Sequence, residues 1–129
     1  MCMRRSFGIK MAVLLIVDDE SGIVEAVKDF FEEEGHRVYT ADSGEDGMRM
    51  VEKLKPDLVL LDMKLPDISG IRVLARAKEV SKKTKTIVIT GYVDQSIIDE
   101  AAKLGRDAFL QKPFDLQTLK SEVDRLLAI

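Results

Sequence analysis

Five short strand-like segments, none long enough for an ordinary helix, alternate along the chain with apolar residues spaced three or four apart. VLLIV at 13–17 (β1) precedes Ile23, Val27, Phe30 and Phe31 (α1), and RVYTA at 37–41 (β2) precedes Met48, Val51 and Leu54 (α2). LVLLD at 58–62 (β3) precedes Ile71, Leu74, Ala77 and Val80 (α3), and TIVIT at 86–90 (β4) precedes Ile97, Ile98, Ala101 and Leu104 (α4). AFL at 108–110 (β5) precedes Leu116, Leu119, Val123 and Leu126 (α5). Short, mostly continuous apolar runs giving way repeatedly to a period near 3.6 predict β/α units. Strict alternation of this kind implies an open parallel sheet with right-handed crossovers and helices on both faces. A closed eight-stranded barrel needs far more chain than 129 residues.

The punctuation supports the same division. Gly35 and Gly105 stand where α1 and α4 should stop, and Pro56-Asp57 ends α2. Ser43 with Asp46 three residues later is a loose capping signal for α2, and Asp115 can cap α5. β2 is the most polar strand and belongs near a sheet edge, whereas the unbroken aliphatic run of β3 suits a central strand covered on both faces. Ser81 to Lys85 reads as a solvated connection, and His36, without ligand-type neighbours, as a surface residue with no chemistry.

A chain of this length fits one domain and can bury a core without staples. Twenty bases against 23 acids give a formal charge of −3, too weak a field to draw in nucleic acid or an anionic membrane, so partner choice must be local. The single cysteine, Cys2, cannot close an internal disulfide and sits in a terminus expected to fray. Arg4-Arg5 ahead of an apolar run raises a twin-arginine export signal. The run is short, has no small-residue cleavage site and meets Asp18 and Asp19, so it reads as β1 behind an N-terminal extension at 1–11. No stretch approaches the length of a membrane span, and a reducing cytoplasm is the expected compartment.

In sheets of this kind the ligand crevice lies beyond the carboxyl ends of the strands, where strand order reverses. The polar residues there are Asp18 and Asp19 after β1, Asp62 ending β3, Thr90 ending β4 and Lys112 just past β5. With the flavodoxin-like strand order 2-1-3-4-5, β1 and β3 are neighbours and the three carboxylates converge. Two carboxylates about 4 Å apart repel by about 4 kcal/mol at an effective dielectric near 20, so three together call for a cation. Oxygen ligands and room for water favour Mg²⁺ or Mn²⁺ over zinc. Lys112, its backbone fixed by Pro113 and Phe114, can offset part of the remaining charge.

With these residues laid out, the chain from about Val13 to Leu127 resembles the receiver domain of two-component response regulators. The resemblance rests on Asp18-Asp19, Asp62 with Pro66 and Gly70 downstream, Thr90-Gly91, Phe109 and Lys112-Pro113, in that order. It implies a flavodoxin-like (βα)5 three-layer sandwich at 12–129. It implies that Asp62 accepts a phosphoryl group from a histidine kinase or histidine phosphotransfer protein, and that the Lys112-Pro113 bond is cis. It also implies Asp19 as a direct Mg²⁺ ligand, Asp18 acting through a bound water, the Lys64 main-chain carbonyl as a further ligand, and Lys112 and Thr90 on the phosphoryl oxygens. Thr90 and Phe109 would couple the site to the α4-β5-α5 face, where a downstream protein docks, although a permanently packed Phe109 fits equally. Lys64 and Tyr92 border the path of an attacking water, and their bulk predicts a slowly decaying phosphorylated state.

Two departures bear on this expectation. Arg106 follows Gly105 where similar domains carry a small residue, which leaves the packing of α4 on β5 open. Nothing in the sequence after α5 reads as an output domain, so a free-standing receiver, a receiver cut from a longer regulator or hybrid kinase, and a partner-binding pseudo-receiver remain alternatives. An aspartate-nucleophile phosphatase of the haloacid dehalogenase type needs an acid two residues after the nucleophile, where Lys64 stands. A flavodoxin-type flavin site fails because Asp18-Asp19-Glu20 would repel a phosphate.

Overall fold

A computed structural model describes residues 11–91 and 95–128. Cys2, Arg4-Arg5 and all but the last residue of the expected extension, and also Tyr92, lie outside the described residues. The strands are β1 (Val13–Val17), β2 (Arg37–Ala41), β3 (Leu58–Asp62), β4 (Lys85–Thr90) and β5 (Ala108–Gln111). The helices are α1 (Ser21–Glu33), α2 (Gly44–Leu54), α3 (Gly70–Val80), α4 (Gln95–Lys103) and α5 (Leu116–Leu127). All five strands are parallel in the order β2-β1-β3-β4-β5, the flavodoxin-like arrangement with β2 and β5 at the edges.

The central strands are uninterruptedly apolar because both of their faces are covered. Leu14 and Ile16 of β1 and Leu58 and Leu60 of β3 point to one side, where Val27 and Phe31 of α1 and Leu119 and Val123 of α5 meet them. Leu15, Val17, Val59 and Leu61 point to the other, against Val51 of α2, Val73, Leu74 and Ala77 of α3, and Ala101 of α4. Most of these side chains are essentially inaccessible to water, and each such burial is worth about 1.5–3 kcal/mol before entropy is counted. The helix ends follow the sequence signals: Ser43 accepts from the Asp46 N–H at 3.2 Å and Asp115 from the Thr118 N–H at 2.7 Å. Gly35 and Gly105 adopt φ of 101° and 95° just past α1 and α4, a region other residues enter at a cost.

The amino-terminal edge of the sheet is stitched by polar groups. Asp57 exchanges hydrogen bonds with Val13, its N–H donating to the Val13 carbonyl at 2.8 Å and its Oδ2 accepting from the Val13 N–H at 2.8 Å. Its carbonyl accepts from the Lys85 N–H at 2.9 Å, which is why β4 begins at Lys85, inside the segment expected to be connection. Asp107 accepts from the Thr86 N–H at 2.8 Å and pairs with Lys78 of α3 at 2.9 Å. Burial works against the Asp107 carboxylate, but Lys78 and the Thr86 N–H outweigh it and hold its pKa below the ordinary aspartate range. The expectation of a surface His36 is wrong. Its ring is buried beside Phe31, and Nδ1 accepts from the Ala12 N–H at 3.1 Å, so it serves as the partner of a buried backbone donor at the start of β1.

Candidate functional site

The carboxyl ends of β1, β3, β4 and β5 surround a cleft of about 450 Å³ lined by Asp19, Glu20, Asp62, Lys64, Thr90 and Lys112, among others. Asp18, directly after β1, is buried, and its N–H donates to the Ala41 carbonyl at 3.0 Å, so β2 helps fix the acid that follows β1. Asp62 is the last residue of β3 and is 5% exposed, as is Asp18. Its Oδ1 accepts from the Lys64 N–H at 3.0 Å and its Oδ2 from the Lys112 ammonium at 3.0 Å. Lys112 also reaches Asp18 Oδ2 at 3.0 Å and contacts Glu20. Its own N–H donates to the Thr90 carbonyl at 2.9 Å, tying β5 to β4 immediately before the cis Lys112-Pro113 bond.

Two close approaches set this geometry. A Cβ on Gly70 would lie 2.4 Å from the Asp62 carbonyl oxygen, so only glycine lets α3 start directly against the end of β3. Asp67, in the loop between them, accepts from the N–H groups of Gly44 and Glu45 at 2.7 and 2.9 Å and fastens that loop to the start of α2. Those two donors lower the Asp67 pKa.

The electrostatics follow from crowding. Burial pushes the Asp18 pKa up, and the Asp62 charge adds to it; the Glu20 N–H and Lys112 oppose the rise without cancelling it. Burial alone would favour a neutral Lys112, but hydrogen bonds to Glu20, Asp62 and Asp18 outweigh it and hold the ammonium well above the ordinary lysine range. One ammonium therefore serves three carboxylates. Carboxylate oxygens of Asp18, Glu20 and Asp62 lie within 4.8 Å of one another, an all-oxygen donor set suited to a hard divalent cation.

Asp62, Thr90 and Lys112 meet at the sheet edge as expected, but the carboxylates that cluster there are Asp18, Glu20 and Asp62, not the expected Asp18, Asp19 and Asp62. Asp19 and Lys64 line the cleft, as does the buried Thr90. Glu20 is a site residue that the sequence reading misses, since there it counts only as a charge that would repel a phosphate. The available signal is its position directly after the acid pair, at the N-cap of α1. On the neighbouring face Phe109 is half-buried against the core, with the Arg106 guanidinium carbon 5.5 Å from its ring centroid. Arg106 thus packs on the aromatic ring, the arrangement its departure from the usual small residue had left open. Its Nε is buried without a hydrogen-bond partner among the described residues.

A parallel 2-1-3-4-5 sheet with an acid pair, a strand-end aspartate and a lysine at one crevice defines a phosphoacceptor-type domain. The response regulator receiver domain model matches residues 14–124, and the chain belongs to that family, whose members accept phosphoryl groups in two-component signalling. It is 36% identical to sporulation initiation phosphotransferase F of Bacillus subtilis, over 90% of this chain and 94% of that protein. It is 30% identical to the regulatory protein AtoC of Escherichia coli, over 90% of this chain and 25% of that longer protein. Among solved structures, a CheY-like response regulator receiver domain from Methanospirillum hungatei superposes with a TM-score of 0.83 at 30% identity, covering 91% of this chain and 97% of that one. Receiver domains bind Mg²⁺ at an acidic pocket and interact with histidine kinases or phosphotransfer proteins, and an acidic cluster is present here.

Proposed function

We propose that Asp62 is the phosphoryl acceptor, taking the group from a phosphohistidine on a histidine kinase or histidine phosphotransfer protein. The observation carrying this reading is the Asp62 carboxylate itself, buried at a strand end and held by one backbone donor and one ammonium beside a second buried aspartate. An Asp62 oxygen forms the new bond to phosphorus as the bond to the imidazole nitrogen breaks, and the electron pair leaves with that nitrogen. Lys112 and the Thr90 hydroxyl would receive phosphoryl oxygens. Asp19, Asp62 and the Lys64 carbonyl would hold the cation, with Asp18 acting through a bound water. Mg²⁺, or Mn²⁺, when bound supplies charge neutralisation on the transferring group.

Phe109, one strand over and paired in register with Val88, would carry the change to the α4-β5-α5 face, where a downstream protein docks. Lys64 and Tyr92 would crowd the approach of water and slow loss of the phosphoryl group. The likeness to a protein named a phosphotransferase, matched over nearly its full length, supports a relay role in which Asp62 also passes the group on. Among the described residues no helix is long and apolar enough to cross a membrane. The test is incubation with Mg²⁺ and a small acyl phosphate, followed by intact mass. One added phosphoryl group that requires Mg²⁺ is expected; no adduct would leave a partner-binding pseudo-receiver as the better description.

A further inference from the structure

We propose that Glu20 is a positioning residue that keeps hold of the Lys112 ammonium when a divalent cation takes over Asp62 directly and Asp18 through a bound water. The inference rests on the metal-dependent phosphoacceptor reading above. The three carboxylates on Lys112 have unequal surroundings. The Asp18 and Asp62 side chains are 5% and 7% exposed, and each lies 3.0 Å from the ammonium. The Glu20 side chain is 56% exposed and contacts the same nitrogen from the lip of the cleft.

A cation held by Asp62, and by Asp18 through a bound water, competes with the ammonium for the same two carboxylates. Lys112, whose side chain is 11% exposed, must then swing away from them while staying within reach of an incoming phosphoryl oxygen. Glu20 is the remaining member of the trio, and its place is fixed by the backbone. Its N–H donates to Asp18 Oδ1 at 2.9 Å, and its carbonyl accepts from the Val24 N–H at 3.0 Å in the first turn of α1. The helix N-terminus favours a negative charge at that position. A side chain with a fixed root and a solvated head can follow the ammonium outward at little desolvation cost, which neither buried aspartate can do.

Two other roles would place Glu20 here: a direct ligand of the cation, or a negative charge that attracts it through space. A double-mutant cycle separates them, because only the positioning role acts through Lys112. Mg²⁺ affinity is measured by calorimetry for the parent protein, Glu20→Gln, Lys112→Ala and the double mutant, with urea midpoints to verify folding. Lys112→Met, which keeps the aliphatic stem, serves as a second version. Glu20→Gln is expected to weaken Mg²⁺ binding about threefold when Lys112 is present and clearly less when it is absent, a coupling typical of a partly exposed ion pair. An equal loss in both backgrounds, or no loss in either, overturns the proposal. Parent protein that gives no Mg²⁺ binding and no acyl-phosphate labelling overturns the underlying reading instead, so the two failures are distinct.

Discussion

Replacing Gly70 by alanine isolates the contact that places the acceptor. Gly70 opens α3, and its N–H donates to the Met63 carbonyl at 2.9 Å. A Cβ there would stand 2.4 Å from the Asp62 carbonyl oxygen and 2.7 Å from Met63 Cα, both backbone atoms that no side-chain rotamer can clear. Restoring an ordinary contact requires the start of α3 or the end of β3 to move by more than half an ångström. Overpacking of this kind costs about 1–3 kcal/mol. Because the displaced strand end is Asp62 itself, labelling should slow by about tenfold or more, a change of only about 1.4 kcal/mol in barrier. Gly22→Ala is the control: nothing lies within 4 Å of the place its new methyl would take in α1, and it should stabilise by about 0.3–1 kcal/mol. Urea unfolding and the rate of acyl-phosphate labelling, read by mass, give both quantities. A Gly70→Ala protein with the parent midpoint and the parent rate would refute the reasoning.

Asp107→Asn should destabilise the fold by about 1–2 kcal/mol at neutral pH, a figure discounted because 24% of the side chain remains exposed. Its folded pKa is depressed, so its contribution is complete above the unfolded aspartate value near 3.9 and is lost as pH falls through the lower folded value. The stability gap between parent and mutant, measured by urea unfolding, should therefore close on acidification; a gap independent of pH down to full protonation would contradict this. Asp19→Ala should raise the Mg²⁺ concentration needed for labelling far more than Asp18→Ala, and equal shifts in a metal titration would count against Asp19 as the direct ligand. Lys64→Asn combined with Tyr92→Glu should speed loss of the phosphoryl group about tenfold or more, followed by intact mass in excess Mg²⁺. Decay at the parent rate would mean that side-chain bulk at those positions does not set the lifetime.

The order of strands and the convergence of Asp18, Asp62, Thr90 and Lys112 are legible in the sequence because each residue ends or closely follows an apolar run, and a parallel sheet brings all such ends to one edge. Positions inside that edge are not legible. Glu20 and Asp19 are adjacent acids in sequence, and only the backbone turn after β1, closed by the Glu20 N–H on Asp18, decides which carboxylate swings toward Lys112. His36 is misplaced for a related reason. A histidine between a helix and a strand looks solvated until the Ala12 N–H, 24 residues earlier, is seen to need an acceptor. Asp57, which in the sequence only helps stop α2, and Asp67 and Asp107, which carry no sequence signal, each accept backbone donors from a distant segment. Hydrophobic periodicity locates elements, whereas such pairings depend on which loop ends become neighbours after the sheet has formed.

Mapping the phosphorylated residue tests the central claim most directly. An acyl phosphate on an aspartate is reduced by borohydride to a stable alcohol, which marks the acceptor permanently for peptide mass analysis. After treatment with Mg²⁺ and a small acyl phosphate, the reduced residue should be Asp62, and folded Asp62→Asn should yield no labelled peptide because its amide is too weak a nucleophile. A reduced residue at any other aspartate in the parent protein, or stoichiometric labelling of folded Asp62→Asn, would contradict the assignment.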